Sequence, residues 1–202
     1  MIKIALMGKM RSGKDMVAKI IDQEIGHAIS CEQYAFADGI KDILLDYFLE
    51  DVIELDKQGK KPRHHLQHIG QEFRKLNEGV WIGYLDRTIK ANAHLYKEAG
   101  YLDRCVIITD VRQPNEHFYV KNLGYHIIKI DASDEIRIKR MEDLNEIDSS
   151  TAEEMQHETE KYIDSLTYDY IIQNNGSLKD LKRRTRRVLQ DIMKKESSEC
   201  NG

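Results

Sequence analysis

Cysteine is scarce in this chain and odd in number: Cys31, Cys105 and Cys200, with no two spaced as a CxxC pair. That argues against a disulfide framework and makes a reducing, cytoplasmic setting the simplest expectation. Proline occurs twice and glycine twelve times in 202 residues, too rarely for a collagen-like or Pro/Gly-rich disordered chain. No apolar run approaches the roughly 18–20 residues of a membrane span, so no membrane partner is expected. The opening stretch, MIKIALMGKM, is apolar too briefly for a signal peptide and lacks a small-residue cleavage site. Positive charge is not in excess: 31 Lys and Arg face 35 Asp and Glu, a net charge of −4. A dedicated nucleic-acid binder is usually basic, so stable nucleic-acid binding is not expected. What remains is a chain with 41% hydrophobic residues, long enough to bury a core as one domain over 1–202.

The apolar residues come in short runs. Residues 2–7 (IKIALM), stopped by Gly8, read as a buried strand. Over 14–25 the apolar positions Val17, Ile20, Ile21 and Ile25 fall at helical spacing. Strand, glycine turn and helix open an α/β unit. Further runs rich in β-branched or aromatic residues lie at 105–109, 125–130 and 168–172, with a weaker one near 28–31. Helical stretches are predicted near 38–50, 64–76, 80–98, 115–123, 134–144, 152–164 and 178–195. Strands separated by helices predict an α/β fold with a parallel sheet covered on both faces. Two stretches look inserted: about 38–81, with no clear strand, and about 137–160, between two strands. Residues 196–202 (ESSECNG) read as a frayed tail.

Residues 8–14, GKMRSGK, match G-x-x-x-x-G-K in its expected setting, after a strand and before a helix. Gly8 and Gly13 permit backbone conformations that a Cβ disfavours. Consecutive N–H groups of Lys9, Arg11, Ser12 and their neighbours then turn inward around an anion, at a helix N-terminus that also favours negative charge. Lys14 adds a point charge for the β and γ phosphates of ATP. The next residue is Asp15, where a Mg²⁺-binding hydroxyl is usual. A carboxylate there would hold the ion directly or through water, and it would repel phosphate if placed too close.

The SGKD of this loop resembles the bacteriophage-type deoxynucleoside monophosphate kinases and the related animal-type phosphomevalonate kinases, which carry Asp after the loop lysine. Further segments resemble the first group: YAFADGIKDIL (34–44), LQHIGQEFRKLNEGVWI (66–82), VIITDVRQPNE (106–116), HETE (157–160) and YIIQNNGSLKDL (170–181). Together they cover nearly the whole chain, and DVRQPNE with SGKD is the specific combination. Two positions depart from the family pattern. Met16 stands where Thr is frequent, removing an α-phosphate hydroxyl, and Thr159 replaces Ser in HETE. The resemblance implies a P-loop NTPase three-layer sandwich with five parallel strands, a helical acceptor-binding insert and a lid. It also implies ATP and Mg²⁺ as cofactors and a small-molecule nucleotide as partner, and dimerisation is left open.

Asp110 and Arg112 follow the strand at 105–109, where α/β sheets place their ligands. Asp110 would order Mg²⁺ or accept a proton, and Arg112 would fork onto an acceptor phosphate. The plainer alternative is an Asp–Arg pair capping the loop. Gln67, Gly70 and Arg74 lie on or near one helix face with Gln71. Gln67 would read a base edge, Gly70 allow close approach and Arg74 hold a phosphate; a solvated polar face is the alternative. Trp81 would stack on a base or fill the core, and Asp38 and Lys41 are weaker candidates for the same substrate. Arg137 and Arg140 share a helix face and precede a stretch, 141–160, without any Lys or Arg. They would form a lid that neutralises the transferring phosphoryl group, or an ordinary exposed helix. Asn174 and Asn175 form a turn that the resemblance places by the adenine of ATP, before a helix capped by Ser177. Thr151 and Glu154 read as a capping box. His64, His65 and His68 read as surface histidines, and the basic residues of 179–195 as a solvated face over Leu178, Leu181, Val188 and Ile192.

The combined expectation is transfer of the γ-phosphoryl of ATP to a deoxynucleoside 5′-monophosphate. Another small-molecule phosphate kinase, or an ATP-binding protein without catalysis, is the alternative.

Overall fold

A computed structural model describes residues 1–26, 29–58, 62–100, 103–144 and 162–199. The chain divides into two compact units, one formed by Met1–Gln33 with Tyr101–Gly202 and the other by Tyr34–Gly100. The second is wider than the insert expected at about 38–81.

The first unit is built on a five-stranded sheet of β1 (Ile2–Met7), β2 (Ser30–Tyr34), β3 (Arg104–Val111), β4 (His126–Asp131) and β5 (Tyr170–Gln173). The strand order is β2-β3-β1-β4-β5, and β1 pairs in parallel with both β3 and β4, as β4 does with β5. Ile4 and Leu6 of β1 face the same way as Ile107, Ile128, Ile130 and Ile172, and all are buried. Against them pack Val17, Ile20 and Ile21 of α1 (Lys14–Ile25) and Leu181, Leu189 and Ile192 of α8 (Leu178–Glu199). The alternate set, Ala5, Met7, Val106, Ile108 and Ile127, is buried as well. A parallel strand covered on both faces is apolar at nearly every position, which is why these runs stood out in the sequence. Between β3 and β5 lie α6 (Pro114–Asn122) and α7 (Asp134–Glu142).

Several boundaries differ from expectation. The weak strand near 28–31 is β2 at Ser30–Tyr34. Its middle residue, Glu32, is buried and paired with Arg104 at the start of β3, so two strand positions carry charge where an apolar residue would have marked them. The last helix does not fray at 196; it runs to Glu199. Glu196 accepts from His126 at 3.1 Å and Ser197 donates to Met193 O at 2.8 Å, which continues the turn without apolar anchors. Its inner stripe uses Thr185 and Leu189, while Leu178 is exposed. Of the helix expected at 152–164, only a short 3₁₀ turn at Tyr162–Asp164 lies among the described residues. Thr151, Glu154, Thr159 and most of the stretch at 137–160 lie outside them.

The second unit contains α2 (Asp38–Tyr47), α3 (Leu49–Lys57), α4 (Arg63–Leu76) and α5 (Val80–Glu98). The single helix expected at 38–50 breaks at Phe48, whose φ of −131° is not helical. The break lets the Phe48 ring sit 5.8 Å from that of His65. Phe36, Ile40, Leu44, Trp81 and Leu85 are buried in this unit, whereas α3 buries none of its residues. His64 and His68, one helical turn apart on α4, are exposed, with parallel rings 6.0 Å apart.

Candidate active site

The loop from Gly8 to Lys14 joins the carboxyl end of β1 to the N-terminus of α1. Three of its residues have positive φ: Gly8 at 156°, Arg11 at 60° and Gly13 at 104°. Arg11 is the costly one, since a side chain there is accommodated only when surrounding contacts hold it. A Cβ on Gly8 would collide with the carbonyl oxygen of Ile130 and with Ser12 Oγ, so no other residue fits.

Contacts on the outer side of the loop supply that restraint. Arg137 Nε donates to Met10 O at 2.7 Å, and its Nη1 to Asp134 at 2.7 Å. Arg140 Nη1 donates to Arg11 O at 2.9 Å and to Ser12 O at 3.3 Å, while its Nη2 donates to Asn174 O at 2.9 Å. Asn174 Nδ2 donates to Ser12 O at 2.7 Å. Three successive carbonyls, those of Met10, Arg11 and Ser12, are thus occupied by side chains from α7 and from the end of β5. Fixing the carbonyls of such a turn also fixes its N–H groups, the groups with which loops of this kind bind anions. Burial pushes the Arg140 pKa below the usual arginine value, though the group remains cationic.

Two groups inside the loop fit an anionic ligand. Ser12 Oγ is buried and has no hydrogen-bond partner among the described residues. Lys14, only 7% exposed, donates from Nζ to Gly8 O at 2.7 Å and Lys9 O at 3.1 Å. Lys9 pairs with Asp164 at 2.6 Å, and Asp164 also accepts from Lys129 at 3.2 Å. These two cations hold the Asp164 carboxyl below the usual aspartate value. Asp15 and Met16 are exposed in the first turn of α1.

Asp110 and Arg112 lie at the same sheet edge. Met7 pairs with Val111, so the loop leaves β1 beside the segment that carries Arg112. Between Ala5 and Met7 the register slips, because Ile108 and Val111 are three residues apart opposite two of β1. The resulting bulge contains Thr109 and Asp110 and re-aims their side chains, as bulges beside functional sites do. Glu116 then accepts from the backbone N–H of Arg112 at 2.9 Å and of Gln113 at 3.1 Å, fixing the turn into α6. Asn175 Oδ1 accepts from Ser133 N at 2.8 Å and so secures the start of α7, and Ser177 Oγ caps α8 by accepting from Asp180 N at 3.2 Å.

In the helical unit, Trp81 is buried, donates from Nε1 to Gly70 O at 3.1 Å and stacks on Phe73 with ring centroids 5.5 Å apart. Gly70 is not open to a ligand: a Cβ there would stand 3.0 Å from Ile40 and 3.3 Å from Arg74. Gln67 is exposed and Arg74 half-buried. Asp38 accepts from Ala35 N at 2.7 Å and pairs with Lys41 at 2.7 Å. A cavity of about 550 Å³ is lined by Asp42, Asp46, Phe73, Trp81, Tyr84 and Arg87 among others. Tyr84 donates to Asp42, and that bond raises the Tyr84 pKa.

No family model matches the chain. A protein of Acanthamoeba polyphaga mimivirus named "Putative deoxynucleotide monophosphate kinase" is 27% identical over 192 residues, covering 82% of this chain and 97% of that protein. A shikimate kinase from Acinetobacter baumannii superposes with a TM-score of 0.51 at 14% identity, covering 96% of this chain and 94% of its own. A sugar kinase from Janibacter gives 0.51 at 15% identity, covering 93% of each chain. The fold is that of a P-loop kinase.

The resemblance drawn from SGKD and DVRQPNE therefore stands, in the viral relative and in the fold. Within this P-loop kinase fold, the sequence brings Gly8–Lys14, Arg137, Arg140 and Asn174 together, and places Asp110 and Arg112 at the same edge of the sheet. Lys129 and Asp164 were missed. Lys129 lies near the carboxyl end of β4, where the rule that ligands sit beyond strand ends would have singled it out. Phe73 and Tyr84 were missed too, although Trp81 and Tyr84 are three apart on α5 and so share a face. Among the described residues no three His, Cys, Asp or Glu side chains converge as a metal site.

Proposed function

We propose that this protein transfers the γ-phosphoryl group of ATP to a deoxynucleoside 5′-monophosphate. The observation that carries this reading is the loop: three carbonyls fixed by Arg137, Arg140 and Asn174, Ser12 Oγ buried and without a partner among the described residues, and Lys14 folded onto the loop. That combination suits a polyphosphate and no uncharged ligand. The name of the viral relative supports the choice of acceptor.

The chain's own residues would act chiefly by alignment and charge. The loop N–H groups and Lys14 bind the ATP phosphates, with Lys14 leaving Gly8 O and Lys9 O to do so. Asp15 and Asp110 offer the hard oxygen donors that Mg²⁺ prefers. Magnesium, when bound, neutralises charge on the phosphate oxygens. Arg112 presents a planar fork to the acceptor phosphate. Exclusion of water by the bound substrates keeps the phosphoryl group from hydrolysis.

A coupled ADP-release assay over dAMP, dGMP, dCMP, dTMP, AMP and phosphomevalonate, with Lys14→Ala as control, tests this. At least one deoxynucleotide should exceed phosphomevalonate clearly. Background ADP release with every acceptor would remove the proposal.

A further inference from the structure

The resemblance assigns Asn174 to the adenine of ATP and Arg140 to a lid over the transferred group. Their contacts give them different work. Asn174 is 5% exposed, and its amide nitrogen already donates to Ser12 O. Its backbone N–H is bound to Asp131 O at 2.6 Å, which ties the end of β5 to β4, and its carbonyl receives Arg140. Arg140 in turn holds Arg11 O and Ser12 O with its other guanidinium nitrogen. The two side chains thus share one carbonyl, Ser12 O, and Arg140 also holds the backbone carbonyl of Asn174, all beside Gly13. The grip is close enough that a Cβ on Gly13 would collide with the Asn174 amide.

We infer that Asn174 and Arg140 are positioning residues for phosphate binding: a clamp that fixes the carbonyls of Arg11 and Ser12 and thereby sets the loop's N–H groups for the polyphosphate. The inference rests on the phosphate-cradle reading above, and it concerns how the cradle is held, not what occupies it. Neither side chain needs to touch ATP. The clamp works because both partners are donors. An amide and a guanidinium can each satisfy a carbonyl, whereas a carboxylate at 174 would repel Ser12 O, and a lysine at 140 has no planar fork with which to reach the carbonyls of both the loop and residue 174.

The test uses the full chain and compares magnesium ATP with magnesium tripolyphosphate, which has no base, by titration calorimetry. Asn174→Asp and Arg140→Lys should each weaken both ligands alike, by about tenfold or more, in protein that circular dichroism shows to be folded at the assay temperature. A second signature is expected from Asn174→Asp. Its tripolyphosphate affinity relative to wild type should recover toward acid pH, because a protonated carboxyl regains a donor for Ser12 O. Should Asn174→Asp fail to fold, Arg140→Lys decides by the first comparison. Weakened ATP with unchanged tripolyphosphate would mean contact with the base and would overturn the inference. Unchanged affinity for both ligands, or a ratio flat with pH in a folded Asn174→Asp, would overturn it as well. Wild-type protein that binds neither ligand would sink the phosphate-cradle reading, and the inference with it.

Discussion

Charge at individual residues is handled by pairing each cation near the loop with a specific oxygen. Lys14 and the two arginines of α7 use backbone carbonyls, while Lys9 uses Asp164. The carboxylate pairing has a pH signature. Lys9 and Lys129 lower the folded-state pKa of Asp164 below 3.8, so the stability it contributes is present above that value. That contribution is lost as pH falls through the lower, folded value. Asp164 is 59% exposed, so the contribution is modest and screened by salt. In urea titrations between about pH 5 and pH 2, wild type should lose more stability than Asp164→Asn. Parallel acid limbs would show that the pair contributes nothing. The glycines and lysine of the loop were legible because their spacing is local. The partners of its carbonyls were not, since Arg137, Arg140 and Asn174 are 127 to 162 residues away from Met10, Arg11 and Ser12.

At the level of single elements, the turn into α6 depends on one carboxylate. Glu116 is buried and satisfies the N–H groups of both Arg112 and Gln113. Glu116→Ala leaves those donors without it and should cost about 1–3 kcal/mol, read as a lower urea midpoint at unchanged slope. The same variant should impair phosphotransfer through Arg112; full activity would separate the cap from the site. Elements with continuous apolar runs, such as β1 and β3, were readable because both sheet faces are covered. Strand β2 was readable only weakly and with shifted bounds, because its buried centre is Glu32, made tolerable by Arg104 of another strand. The break at Phe48 was hidden for a related reason. Residues 38–57 keep helical composition throughout, and the ring contact with α4 that accompanies the break is encoded by no local pattern.

For the molecule as a whole, the two units differ in how much they bury. The sheet unit buries apolar residues on both faces of β1, β3 and β4, whereas the helical unit contains α3, which buries nothing, and exposes Leu45, Tyr47, Leu49 and Leu76. Smaller units with less buried apolar surface are less stable. Trp81 is the chain's single tryptophan and belongs to the helical unit, so its fluorescence reports that unit alone. In a guanidinium titration the Trp81 signal should change at lower denaturant than far-ultraviolet circular dichroism, which reports both. Coincident transitions would mean that the units unfold as one.

The fastening of the loop also bears on synthesis. Residues 8–14 leave a ribosome well before Arg140 and Asn174, which lie 129 and 162 residues beyond the loop carbonyls they hold. Over that interval a nascent chain carries the loop sequence without the side chains that fasten it. The loop's final shape is deferred until β5 has docked beside β4.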